Sequence, residues 1–158
     1  MTDHSHHVHH SHDATSLNRI AWSATLHCLT GCAIGEVLGM IIGTALGWGN
    51  AETIALAVVL AFFFGYALTL LPLLKAMSVG AAAKLALAAD TASITVMEIV
   101  DNAIMLVIPG AMDASLDSLL FWGSLAAALA IAAVAAFPVN RWLIARGRGH
   151  AVVHAHHH

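Results

Sequence analysis

Four long apolar runs constrain this chain more than any other feature: residues 20–48, 52–74, 82–108 and 116–143. Each exceeds the ~20 residues a helix needs to cross a hydrocarbon core ~30 Å thick. Gly49-Asn50 ends the first run, Pro72 lies near the end of the second, Pro109-Gly110 stops the third, and Pro138 sits in the last turns of the fourth. Only 9% of the residues are charged, against about 25% in soluble domains, whose water-facing surface needs charge. Lipid must therefore be part of this chain's solvent. The expected fold is all-α: an integral membrane four-helix bundle forming one domain over 19–143, with disordered His-rich tails over 1–18 and 144–158. The first tail has no basic n-region and no cleavage site, so the first run is expected to be a retained helix. The two cysteines both fall inside that run and are too few for a disulfide scaffold.

Charge and aromatic placement give the orientation. With four spans, Arg19, Lys75, Lys84, Arg141, Arg146 and Arg148 all fall on one side of the membrane, and the connections on the other side contain no Lys or Arg. The positive-inside rule then puts both termini in the cytoplasm. Trp22, Trp48, Trp122 and Trp142 all sit at span ends, where amphipathic rings favour the headgroup region.

The first span carries two parallel patterns. Gly31, Gly35, Gly39, Gly43 and Gly47 recur at every fourth residue. In water each would weaken a helix by roughly 1 kcal/mol; in lipid such a row admits a neighbouring backbone and reads as a packing seam. Beside it runs a second row, Cys28, Cys32, Glu36, Met40 and Thr44, with His27 adjacent to Cys28. Residues four apart share a helix face. Thiolate and thioether suit Cu(I), and thiolate, imidazole and carboxylate together suit Zn(II) and similar ions. Cys and Met are also common space-filling residues. Glu36 is harder to treat that way, because a mid-membrane carboxylate costs roughly 2.5–3.5 kcal/mol on insertion scales and needs a partner, a proton or water.

The third span supplies candidate partners. Asp90, Met97, Glu98, Asp101 and Met105 project onto one sector of a helix, with Thr91 and Asn102 as supporting polar residues. Glu36 and Glu98 both fall about 17 Å from the nearest span end without Lys or Arg, near the midplane. Cys28 and Asp90 both lie about 12 Å deeper. The expected site has a midplane layer of Glu36, Glu98, Asp101 and Asn102 and an inner layer of His27, Cys28 and Asp90, with Cys32 between them. A hydrogen-bonded clasp of protonated acids is the structural alternative. Intramembrane ionisable groups otherwise mark ion or proton paths. The second and fourth spans read as scaffold.

Eleven of the twelve histidines lie in the tails: His4, His6, His7, His9, His10 and His12, then His150, His154, His156, His157 and His158. Flexible imidazoles so spaced capture Zn, Ni, Co or Cu ions with little selectivity.

The segments His-Cys-Leu-Thr-Gly-Cys-Ala-Ile-Gly-Glu-Val-Leu-Gly-Met (27–40), Met-Glu-Ile-Val-Asp-Asn (97–102) and Pro-Val-Asn-Arg-Trp-Leu (138–143) resemble an uncharacterised bacterial membrane family, catalogued as a domain of unknown function, number 4396 in that series. The resemblance covers about 19–149. It implies a multi-pass protein of the bacterial inner (plasma) membrane and supplies no activity. Three functions follow from the residues. The first is binding or transport of a transition metal, with cytoplasmic His tails feeding His27, Cys28, Cys32, Glu36, Met40, Asp90, Met97, Glu98 and Asp101. The second is a non-catalytic accessory subunit that docks a partner membrane protein through the glycine seam. The third is a thiol–disulfide oxidoreductase using Cys28 and Cys32, whose C-x3-C spacing departs from C-x-x-C. Besides lipid and a metal ion, the expected partners are a second copy of the chain or another membrane protein that helps enclose a path; no nucleic acid is expected.

Overall fold

The computed structural model describes residues 8–75 and 77–146. They form α1 (Val8–Leu46), α2 (Asn50–Leu73), α3 (Val79–Val107) and α4 (Leu119–Ala145). Each is long and apolar enough to cross a membrane, α1 over Thr15–Leu46, and the chain is an all-α four-helix membrane bundle. Short connections make successive helices antiparallel, so α1 and α3 run the same way. Around the bundle the order is α1, α2, α3, α4, and α1 also touches α3 across the middle. One end carries Arg19, Lys75, Lys84, Arg141 and Arg146 and is called here the basic end; the other carries Glu52, Asp113 and Asp117 and is the acidic end.

The first helix starts earlier than the apolar pattern predicts. It begins at Val8, so residues 8–18, expected to be disordered, continue α1. Once an apolar span has nucleated a helix, each further residue adds a hydrogen bond without a new nucleation cost. Arg141 Nε also donates to Asn18 Oδ1 at 2.7 Å, and Leu17 packs against Ala21, Ala24 and Ile144, which ties this segment to α4. The expected tails over 1–7 and 147–158 lie outside the described residues.

The packing inverts that of a water-soluble bundle. Val59, Phe63, Ile99, Leu106, Ile131 and Val134 are exposed, toward the expected lipid. The interior is built largely from Ala, Gly, Ser and Thr plus the buried acids. Small interior residues let helix backbones approach where no hydrophobic force drives them together.

The α1–α2 contact is the extreme case. On α2 the buried residues are Thr53, Ala57, Ala61, Gly65, Thr69 and Leu73, a strict four-residue row. It meets the glycine row of α1 so that ridges of i±4 residues interdigitate. A Cβ placed on Gly31 would lie 2.6 Å from Gly65 Cα, one on Gly35 would strike the Leu60–Ala61 backbone, and ones on Gly39 and Gly43 would strike Ala57 and Thr53. The seam is therefore filled by the chain's own second helix. An accessory subunit docking a partner through that row is corrected on this ground.

Gly47 does not belong to the seam. It has φ +67° with nothing near a built Cβ, and it follows the end of α1. Gly47 N–H donates to Thr44 O at 3.1 Å and Trp48 N–H to Gly43 O at 2.9 Å. These are the paired bonds of a Schellman cap, whose left-handed position favours glycine. The packing role expected for Gly47 is thus a capping role. At the other acidic-end connection, Ile108–Ala111 forms a turn closed by Ala111 N–H to Ile108 O at 3.1 Å, with Gly110 at φ +76°. Pro followed by a positive-φ Gly is the type II arrangement. The α4 helix is then capped by Ser118, whose Oγ accepts from Phe121 N–H at 3.1 Å.

Trp48 and Trp122 are exposed at the acidic end, Trp22 and Trp142 at the basic end. Trp22 stacks on Phe137, and Arg146 lies 4.3 Å over the ring of Trp142. Both pairings suit a headgroup layer, where an apolar ring and a charge are accommodated together.

Candidate functional site

The second row of α1 turns toward α3. The buried stripe of α3 includes Asp90, Ser93, Ile94, Met97, Glu98, Asp101 and Met105, with steps of three and four that keep it on one side. Because the two helices are parallel, the rows meet as successive rungs. Nearest the basic end, Cys28 Sγ donates to Asp90 Oδ1 at 3.7 Å, with Ser93 also beside the thiol. Next, Cys32 faces Glu98, and Met97 packs into the same cluster as both cysteines. The third rung sets Glu36 against Asp101. The fourth places Met40 and Met105 in one cluster closed by Phe121 and Leu125.

These groups are enclosed by one copy of the chain. Glu36 is 1% exposed, Asp101 2% and Glu98 6%. A second subunit is not needed to remove them from lipid. Among the described residues Glu36 and Asp101 face each other, and no third side chain donates to either carboxyl. Buried acceptors left unsatisfied are rare in native proteins, and each calls for a specific reason.

The other residues singled out from the sequence fall around this column. His27 is half-buried and its Nε2 hydrogen-bonds Thr69 Oγ1 of α2 at 3.1 Å. Asn102 is half-buried and serves Glu98: its Nδ2 donates to Glu98 O at 2.9 Å and approaches Oε2 at 3.5 Å. Thr91 does not support the site. It is exposed and shares a 2.9 Å hydrogen bond with Tyr66 Oη, because one residue beyond Asp90 turns about 100° round the helix. His9, His10 and His12 belong to the first turns of α1; His4, His6, His7, His150, His154, His156, His157 and His158 lie outside the described residues.

Two features of the interior escape the sequence analysis. Asn140 Nδ2 of α4 donates to Thr25 Oγ1 of α1 at 2.9 Å, and Thr25 in turn donates to Ala21 O. Thr69 is the other, joined to His27. The available signal was simple: Thr69 and Asn140 each continue the buried small-residue row of their own helix with a polar side chain.

The described residues bring together pairs of candidate ligands. No three of His, Cys, Asp and Glu among them converge closely enough to hold a metal ion. The arrangement therefore differs from a closed tetrahedral site of three or four protein ligands. It offers a series of two-group stations, some with sulfur and some with oxygen. Both cysteines are free and buried.

No curated protein and no solved structure matches this chain. One family model does, described as Domain of unknown function (DUF4396), over residues 18–149. That match takes in all four membrane-crossing helices and every rung between α1 and α3. Covering most of the sequence, it establishes that the chain belongs to the DUF4396 family and is one of its multi-pass membrane proteins.

Proposed function

We propose that this protein binds a transition-metal cation and moves it across the bacterial inner membrane along the α1–α3 column, with both termini in the cytoplasm. The observation that carries the reading is the pair Glu36 and Asp101, two carboxyls buried against each other inside the bundle with no third side chain among the described residues donating to either. Such groups are costly in lipid, and a cation or a proton is the complement that satisfies them. The cysteine-bearing rungs lie between this pair and the basic end. On this reading, His tails gather the ion, Cys28 with Asp90 and Cys32 with Glu98 receive it, and Glu36 with Asp101 carries it or its counter-proton past the midplane. Successive two-group stations suit passage, since a site that releases its ion must not close around it.

The test is movement in proteoliposomes of the full-length protein, with metal-sensitive and pH-sensitive dyes enclosed. Glu36→Gln and Asp101→Asn, each checked for monodisperse elution in detergent, are expected to abolish uptake of the transported ion. Wild-type rates in both variants for Cu(I), Zn(II), Ni(II), Co(II) and protons would overturn the proposal.

A further inference from the structure

At the acidic end a cavity of about 350 Å³ opens between the Gly47–Asn50 turn and the 108–118 connection. Its wall is mixed: Thr44, Asn50, Thr53 and Asp113 supply polar groups, and Met40 and Met112 supply thioethers. Met40 is the residue that joins this cavity to the column. It lines the cavity and also packs with Met105 in the cluster of the fourth rung, where Met112 borders the same cluster. One turn of α1 below Met40, about 6 Å along the axis, stands the buried carboxyl of Glu36.

We infer that this cavity is the mouth of the column at the acidic end, and that it exchanges a soft monovalent cation of the Cu(I) or Ag(I) type with water. Three of the chain's six methionines meet at this end: Met40, Met105 and Met112. Methionine fills irregular space in many cores, but a gap-filling role does not require two thioethers to border a polar cavity. Neutral thioethers select soft ions and do little for Zn(II), Ni(II) or Co(II), which favour imidazole, carboxylate or thiolate. Further along the path, Cys28 beside Asp90 and Cys32 beside Glu98 also present sulfur. Asp113 at the rim attracts a cation, and the thioethers discriminate among the cations it attracts. The inference rests on the proposed cation path and names the class of ion that path carries.

The experiment uses the thioethers as their own reporters. Full-length protein in detergent is treated with hydrogen peroxide in chloride-free buffer, and sulfoxide at each methionine is followed by peptide mass spectrometry. Ag(I) is the probe, because it is soft and does not change oxidation state here. Silver is expected to slow oxidation of Met112 several-fold and that of Met40 in the same direction. Met77, half-buried in the α2–α3 connection at the basic end, serves as the internal control and is expected to be unaffected. Zn(II) is expected to protect none of the three. Equal oxidation of Met112 with and without Ag(I), or equal protection by Zn(II), overturns the inference. Glu36→Gln separates it from the function proposed above. Silver protection that persists in Glu36→Gln supports the mouth independently of transport; absence of protection alongside Glu36-dependent movement of another ion overturns the mouth and leaves the column.

Discussion

The two faces of α1 solve opposite problems with the same four-residue spacing. On one face Gly31, Gly35, Gly39 and Gly43 let α2 approach until a single added methyl would strike its backbone or, at Gly43, the Thr53 side chain. On the other, Cys28, Cys32, Glu36 and Met40 meet α3 through polar and sulfur groups that are incompletely satisfied. The glycine face has no side chains and no choices; its geometry is fixed by backbone contact. The α3-facing side instead carries larger, polarisable groups that meet α3 in pairs. A helix clamped on one side gives the reactive side a fixed reference, which a site of weak paired contacts needs.

Four substitutions break or sharpen this contrast. The largest effect is expected from Gly35→Leu, where even the first carbon collides with Leu60 and Ala61. It should cost about 3 kcal/mol or more, read as loss of cooperative unfolding in detergent by far-ultraviolet circular dichroism; wild-type stability would show that α2 does not depend on the seam. Glu36→Leu, one position along, is expected to act differently. It removes one desolvated carboxyl but leaves Asp101 without its partner, so the net loss of stability should stay below about 1–3 kcal/mol while the proposed ion movement is lost. A large destabilisation there would mean that the polar face holds the bundle together as a clasp. Gly47→Ala meets no neighbour but places a side chain at φ +67°. The expected loss is about 1–2 kcal/mol, with α1 still packed on α2, measured as a shift in the same unfolding curve. The smallest change belongs to Thr91→Val, which removes the bond to Tyr66 outside both faces. About 0.6 kcal/mol is the usual worth of such an interhelical bond in lipid, and cation movement should be unchanged.

The sequence made the fold legible because each span exceeds what the membrane requires, and because the Lys and Arg residues separate by side. The glycine row was legible as a seam, and its occupant became clear only when α2 was seen to carry Thr53, Ala57, Ala61 and Gly65 in the matching register. Gly47 looked like a fifth member because spacing alone cannot distinguish the last turn of a helix from its cap. Cys28 and Asp90 were placed at one depth by counting residues from the span ends, and they lie 3.7 Å apart. Thr91 and His27 show where that method weakens. Each lies next to a site residue in sequence, yet a step of one residue turns the side chain about 100° away. Thr25 and Asn140 were missed because their pairing joins the first and last helices, a contact no local pattern encodes.

The order in which the helices reach the membrane gives the glycine seam a further consequence. The α1–α2 pair is joined by the tight Gly47–Gly49 turn and needs nothing from the rest of the chain to bury its seam. It can close while α3 is still being synthesised. Of the four spans α3 is the least apolar, carrying Asp90, Glu98 and Asp101, and would enter lipid poorly by itself. When it arrives, Cys28, Cys32 and Glu36 already stand in line on a finished hairpin. The seam thus acts as an assembly template, receiving the one helix that most needs a waiting partner.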